Sequence, residues 1–183
     1  MKRFDMNMIR QTLASHLRAT ARRLRNGASY RWTHQGRCNC GHLAQTLTGL
    51  ESREIHEIAT RSEGEWTDHV AEYCDTSGLP VNDLIKQMLS FGLTIEELGD
   101  LERLASPSVT RWLPPNRRHL NYRHREDVVL YFETWADVID AEISVRLKPS
   151  VEVRIHGRVF VPYVTPTEIP MALDENPASG YVA

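Results

Sequence analysis

The chain has 183 residues, 41 % of them hydrophobic and 25 % charged, a mean hydropathy of −0.43, three cysteines and a formal net charge of −2. This is the composition of a globular protein and excludes collagen-like, low-complexity and disulfide-scaffold classes. A chain of this length buries about 70 % of its unfolded surface in one core, so any bound metal adds to a core that stands without it.

The first predicted element is a helix from Met8 to Asn26, with Ile9, Leu13, Leu17, Ala21 and Leu24 at spacings of three and four and Gly27 as its stop. It lies in a strongly basic region. Residues 1–40 carry nine Lys and Arg against Asp5 alone, whereas residues 41–183 carry 13 against 23 acids. Either the basic region is an arm for an anionic partner, or the helix lies along the chain's own acidic body, and the second is the expectation. The basic start is not followed by the apolar stretch of a secretory signal, and Asp5 within a continuous helical pattern argues against a transit peptide.

Residues 28–40 have no sustained period and hold Tyr30, Trp32, His34, Cys38 and Cys40, which reads as an ordered loop anchored by aromatics. A short helix is expected over Gly41–Thr48, capped by Asn39 or Cys40, then one from Ser52 to Arg61 and another over Trp66–Cys74. Pro80 and Asn82 precede a helix that closes at Phe91-Gly92, and the capping box of Thr94 and Glu97 opens one over Ile95–Leu104. Residues 106–125, with Pro107, Pro114 and Pro115, read as loop. Glu126–Glu142 forms a helix with a wide apolar stripe; its most apolar part is interrupted by Glu133, Thr134 and Asp137, so no bilayer-spanning segment is expected.

After Pro149 the period shortens to two, and Gly157 allows a turn between residues 151–155 and 159–161. The expected architecture is mainly α: a helical domain over residues 1–148, a β-hairpin over 149–164 packed on it, and an extended or disordered tail over 165–183. The edges of the hairpin also permit pairing with a second copy.

Seven of the eleven Cys and His residues fall between positions 34 and 74: His34, Cys38, Cys40, His42, His56, His69 and Cys74. Small metal sites are commonly built from two local hooks, each a pair of ligands a few residues apart. Cys38-x-Cys40 in a Gly-flanked loop is one hook and His69-x4-Cys74 is the other. Positions 69 and 74 lie about 140° apart on an ideal helix, so a helix must end between them. The candidate ligand set is Cys38, Cys40, His69 and Cys74, with His34 or His42 as an alternative to His69. Three thiolates and an imidazole suit tetrahedral zinc, or an iron–sulfur cluster with one non-Cys ligand. The competing readings are three core cysteines without metal, and a thiol redox protein in which Cys40 is activated at a helix N-terminus.

Di-iron Glu-x-x-His pairs, zinc-protease helices, phosphate loops and nucleophile elbows are absent from the sequence. The acids Glu51, Glu54, Glu57, Glu63, Glu65, Asp68, Glu72 and Asp75 read as solvated faces, available for acid–base work only if a ligand position is held by water. Residues 111–125 hold Arg111, Arg117, Arg118, Arg123 and Arg125 with Trp112 and Tyr122, a candidate nucleic-acid or anion loop, against which stands the pI of 6.4. The leading expectation is a cytoplasmic zinc-binding helical protein with a binding or regulatory role, its partner a protein or small molecule. Iron–sulfur or thiol redox chemistry and nucleic-acid binding are the alternatives, and no particular reaction is indicated.

Overall fold

A computed structural model describes residues 3–59 and 83–162. Among these, seven helices follow in chain order: α1 (Arg3–Arg25), α2 (Asn39–Thr48), α3 (Ser52–Ala59), α4 (Asp83–Ser90), α5 (Ile95–Arg103), α6 (Pro107–Thr110) and α7 (Arg125–Leu147). A 3-10 turn at Pro115–Arg117 precedes α7, and β1 (Arg154–Ile155) and β2 (Arg158–Val159) form an antiparallel pair near the C-terminus. The fold is mainly helical with a small hairpin, as the periodicities predict. The helix expected over Trp66–Cys74 and the tail over 165–183 lie outside the described residues.

The two 23-residue helices, α1 and α7, form the most extensive contact in the fold. On α1, Leu13, Leu17, Ala21 and Leu24 are fully buried, and on α7 so are Val128, Phe132, Ala136 and Ile139. Ion pairs along the flank set the direction. Arg18 binds Asp137 at 2.6 Å and Asp140 at 2.7 Å, Arg25 binds Glu133 at 2.7 Å, and Arg146 donates to Asn7 at 3.2 Å, so the helices run antiparallel. The basic N-terminal helix thus lies on an acidic partner within its own chain. Arg10 completes the pattern with a two-pronged bond to Glu97 of α5 and a third bond to the Gly92 carbonyl. Helix α7 runs to Leu147 instead of stopping at Glu142, because Ile143 and Val145 still find apolar neighbours in the main core and in a satellite cluster.

Helix α2 is enclosed by α1, α3, α4 and α5. Seven of its ten residues are buried, Asn39 and His42 among them, and it ends at Gly49 in a left-handed conformation. The expected capping box is present on α5: Thr94 Oγ1 accepts from the Glu97 amide at 3.1 Å and Glu97 Oε2 accepts from the Thr94 amide at 3.0 Å. Residues 106–124 are loop apart from α6, begun by Pro107, and the 3-10 turn, and Arg125, expected in the loop, already belongs to α7.

The hairpin is shorter than the alternation of residues 151–161 suggests. Arg154–Ile155 and Arg158–Val159 pair around a His156-Gly157 turn with φ of 46° and 78°, and one further bond, from the Phe160 amide to the Val153 carbonyl at 2.7 Å, ends the pairing. Val151 and Val161 have no face to cover and stay exposed. The hairpin docks through Ile155 and Phe160 onto Trp112, Val138 and Ala141, and Arg158 donates to the Arg111 and Leu113 carbonyls, both at 2.9 Å. An isolated two-stranded hairpin is marginal in water, so this satellite cluster holds it. No helix among the described residues is long and apolar enough to cross a membrane.

The α1–α7 seam separates two energetic contributions. Leu17→Ala should destabilise the protein by about 2–5 kcal/mol through lost burial and a residual cavity. Arg18→Met should cost less than about 1 kcal/mol, because its ion pairs are half exposed. Urea-unfolding midpoints at constant m-value distinguish the two; equal losses would contradict this division.

Candidate functional site

The site is built on the segment from Ser29 to His42, which turns back on itself before entering α2. The Arg31 amide donates to the Arg37 carbonyl at 3.0 Å and the Cys38 amide to the His34 carbonyl at 2.8 Å. Two glycines let backbone meet backbone. A Cβ on Gly36 would sit 1.9 Å from the Ser52 carbonyl oxygen, and one on Gly41 would sit 2.0 Å from the Gln35 oxygen, so neither position admits a side chain. The Gln45 side chain closes the turn with a 2.7 Å bond to the Gly36 carbonyl.

Cys38 is the N-cap of α2, a role expected of Asn39 or Cys40. Its sulfur accepts from the Gly41 amide at 3.3 Å, and its thiol donates to the Gln35 carbonyl at 3.3 Å. Asn39 does not cap because its amide is directed at the end of α5, donating to the Leu101 carbonyl and, at 3.0 Å, to that of Glu102. Cys40 follows in the first helical turn with no exposed surface. Neither thiol is in a disulfide. Both lie close enough to the Tyr30 hydroxyl that they, after burial itself, push its ionisation upward. Both thiols are thus buried at the start of α2.

The histidines divide. His42 is 3 % exposed and both ring nitrogens are engaged: Arg23 donates to Nδ1 at 2.9 Å and Nε2 donates to the Ser29 carbonyl at 3.2 Å. In this position the Nδ1 lone pair is taken by Arg23 and the Nε2 proton by Ser29. Its pKa is pushed down to about 4, first by burial and then by Arg23 and Arg37, against the pull of the Ser29 bond. His34 accepts from the Gly36 amide through Nδ1 at 3.2 Å, so Nε2 is its remaining donor, and its ring stacks on His56 with centroids 4.1 Å apart. No spacing rule announces that pair, since 22 residues separate its members.

His69 and Cys74 lie outside the described residues. Among the described residues no group of three or more His, Cys, Asp or Glu is placed to hold a metal ion, so the set of Cys38, Cys40, His69 and Cys74 depends on segment 60–82. The two helices that flank that segment, α3 and α4, both pack on α2, the helix that Cys38 caps. Of the flanking acids, Glu54 Oε2 accepts from the Glu51 amide and Glu57 pairs with Arg53, all at the surface.

The arginine loop adjoins this site. The Tyr30 hydroxyl donates to the Tyr122 carbonyl, and the rings of Trp32 and Tyr122 pack with centroids 4.3 Å apart. Buried Asp127 shapes the loop by accepting from the Arg117 guanidinium and, at 2.8 Å, from the Asn121 amide. Arg117 is thus a structural residue, and Arg125 pairs with Glu126 at 3.1 Å. Arg111 lies 5.3 Å from the Trp112 ring centroid on the hairpin side. Arg118 and Arg123 are exposed without an ion pair among the described residues. Comparison with protein families, with curated proteins and with solved structures finds no match to this chain.

Two outcomes follow. Gly41→Ala should lower stability by several kcal/mol, since the Cβ collides with a carbonyl on a turn that cannot retreat; a melting temperature within 2 °C of the parent would contradict the close approach. His42 is neutral in the fold, whereas the unfolded chain takes up its proton near pH 6.5. The unfolded state then binds more protons below pH 6.5, so stability is undiminished above that pH and falls as pH drops toward 4. His42→Asn should flatten the decline in urea midpoint between pH 7 and pH 5; an unchanged slope would place the titration elsewhere.

Proposed function

We propose that this chain is a zinc-binding protein of a reducing compartment, the cytoplasm, in which Cys38, Cys40, His69 and Cys74 form a closed four-ligand site with a binding or regulatory role. The observation that carries this reading is the burial of two thiols two residues apart at the start of α2, with Cys38 accepting the Gly41 amide. A metal ligand needs an outer hydrogen bond to orient it, and that amide supplies one. The Cys38 thiol proton, donated to Gln35, is the one a metal displaces, because thiolate and not thiol is the ligand. Packing of both α3 and α4 on α2 favours return of the His69 and Cys74 segment to the same place. With four protein ligands no coordination position stays open for a substrate, which argues for a structural or regulatory ion over a catalytic one. The near-complete burial of both thiols also favours this over exchange chemistry, which requires an accessible thiolate.

Cys38→Ser gives a discriminating test, because serine retains a cap for the Gly41 amide while removing a soft ligand. Protein purified without a metal-affinity tag should carry about one zinc per chain by elemental analysis, with no visible absorption band. Cys38→Ser and Cys74→Ser should each lose the zinc and about 5–10 °C of melting temperature, on a scale of roughly 2–4 °C per kcal/mol for a chain of this size. His42→Asn should keep the metal. Unchanged zinc content and melting temperature in both serine variants would overturn the assignment, and a brown protein would replace zinc by an iron–sulfur cluster.

A further inference from the structure

The fold joins two segments that are 81 or more residues apart in sequence into one basic and aromatic face. From the first come Arg31, Trp32 and Arg37; from the second, Arg118, Tyr122 and Arg123. The Tyr30–Tyr122 hydrogen bond and the packing of Trp32 on Tyr122 hold them together. The backbone bond from the Arg31 amide to the Arg37 carbonyl ties two of the arginines into one turn, and the Arg123 guanidinium lies 5.9 Å from the Tyr122 ring centroid. All four arginines are exposed, and none has a carboxylate partner among the described residues. That contrasts with Arg10, Arg18, Arg25, Arg117 and Arg125, each of which is matched to an acid. The neighbouring acids Glu126 and Asp127 are themselves engaged by Arg125 and Arg117. The chain's net charge of −2 therefore conceals a local surplus of positive charge, and at physiological salt a surface charge acts over only about 8 Å.

We infer that this face binds single-stranded nucleic acid, with Arg31, Arg37, Arg118 and Arg123 on the phosphates and bases stacked against the Trp32–Tyr122 pair. Guanidiniums alone would suit any polyanion; half-buried aromatic rings set among them select a partner that offers flat π faces together with phosphates. The face is made of turns and loop and presents neither a helix nor a ribbon for a major groove, which favours unpaired strands over duplex. The inference is independent of the zinc reading, since none of these six residues is a proposed ligand.

Fluorescence anisotropy of the full chain with labelled 20-nucleotide oligo-dT and a mixed-sequence RNA of equal length tests it. Binding is expected at 50 mM salt and should weaken about tenfold by 200 mM, as engagement of about three phosphates on a single strand implies. Arg31→Ala/Arg37→Ala/Arg123→Ala should weaken binding at least tenfold and flatten the salt dependence. Tyr122→Leu keeps the backbone carbonyl that Tyr30 uses and should weaken binding about tenfold with the salt dependence retained. Arg146→Ala/Lys148→Ala, at the far end of α7, should bind as the parent does. Circular dichroism establishes that each variant is folded. Absence of binding at 50 mM salt, an equal loss in the Arg146/Lys148 variant, parent-like binding by the triple variant, or equally tight binding of polyglutamate of matched charge would overturn the proposal.

Discussion

The enclosure of α2 is the constraint on which the rest of this structure depends. A ten-residue helix covered by α1, α3, α4 and α5 brings its orphan N-terminal amides and several polar side chains into a region where unpaired groups cost on the order of 1–3 kcal/mol each. The amides are met at the cap itself, and the side chains reach partners in other parts of the chain. Cys38 takes the Gly41 amide, Asn39 reaches the last turn of α5, His42 lies between Arg23 and Ser29, and Thr46 meets Thr20 of α1. These bonds fix the rotation of α2 and with it the direction of both thiols.

The same enclosure explains why the polar chemistry of the protein is concentrated at one end of the bundle. The turn that leads into α2 must pass close to α3, which two glycines permit, and its aromatic residues then fill the space toward the loop before α7. The cysteine turn and the arginine loop are neighbours for this reason. Charge follows the same logic: Arg10, Arg18 and Arg25 of α1 are neutralised by α5 and α7, while Arg31, Arg37, Arg118 and Arg123 have no ion pair among the described residues.

Much of the helical architecture is legible from periodicity and punctuation. The apolar spacing on α1, the Thr94–Glu97 box and Gly49 each mark what the coordinates show. The shifts at element ends have tertiary causes: α7 outruns its expected end where Ile143 and Val145 find neighbours, and the hairpin falls short where Val151 and Val161 find none. The site was less legible. The density of Cys and His points to residues 34–74, but side-chain direction is settled by long-range partners. Arg23 engages His42, and the cap passes to Cys38 because Asn39 is drawn to α5. The stacking of His34 on His56 and the meeting of Trp32 with Tyr122 join positions 22 and 90 apart, for which a local pattern holds no signal.

The antiparallel pairing of α1 with α7 has a kinetic meaning. Arg18 and Asp137 are separated by 119 positions, so the largest apolar seam among the described residues joins segments far apart in sequence. Closing so long a loop is entropically costly and raises contact order, which slows folding. During synthesis α1 leaves the ribosome long before α7. Until α7 emerges, the stripe of Leu13, Leu17 and Leu24 has no native partner, and the nascent protein must shield it by transient collapse or by a chaperone.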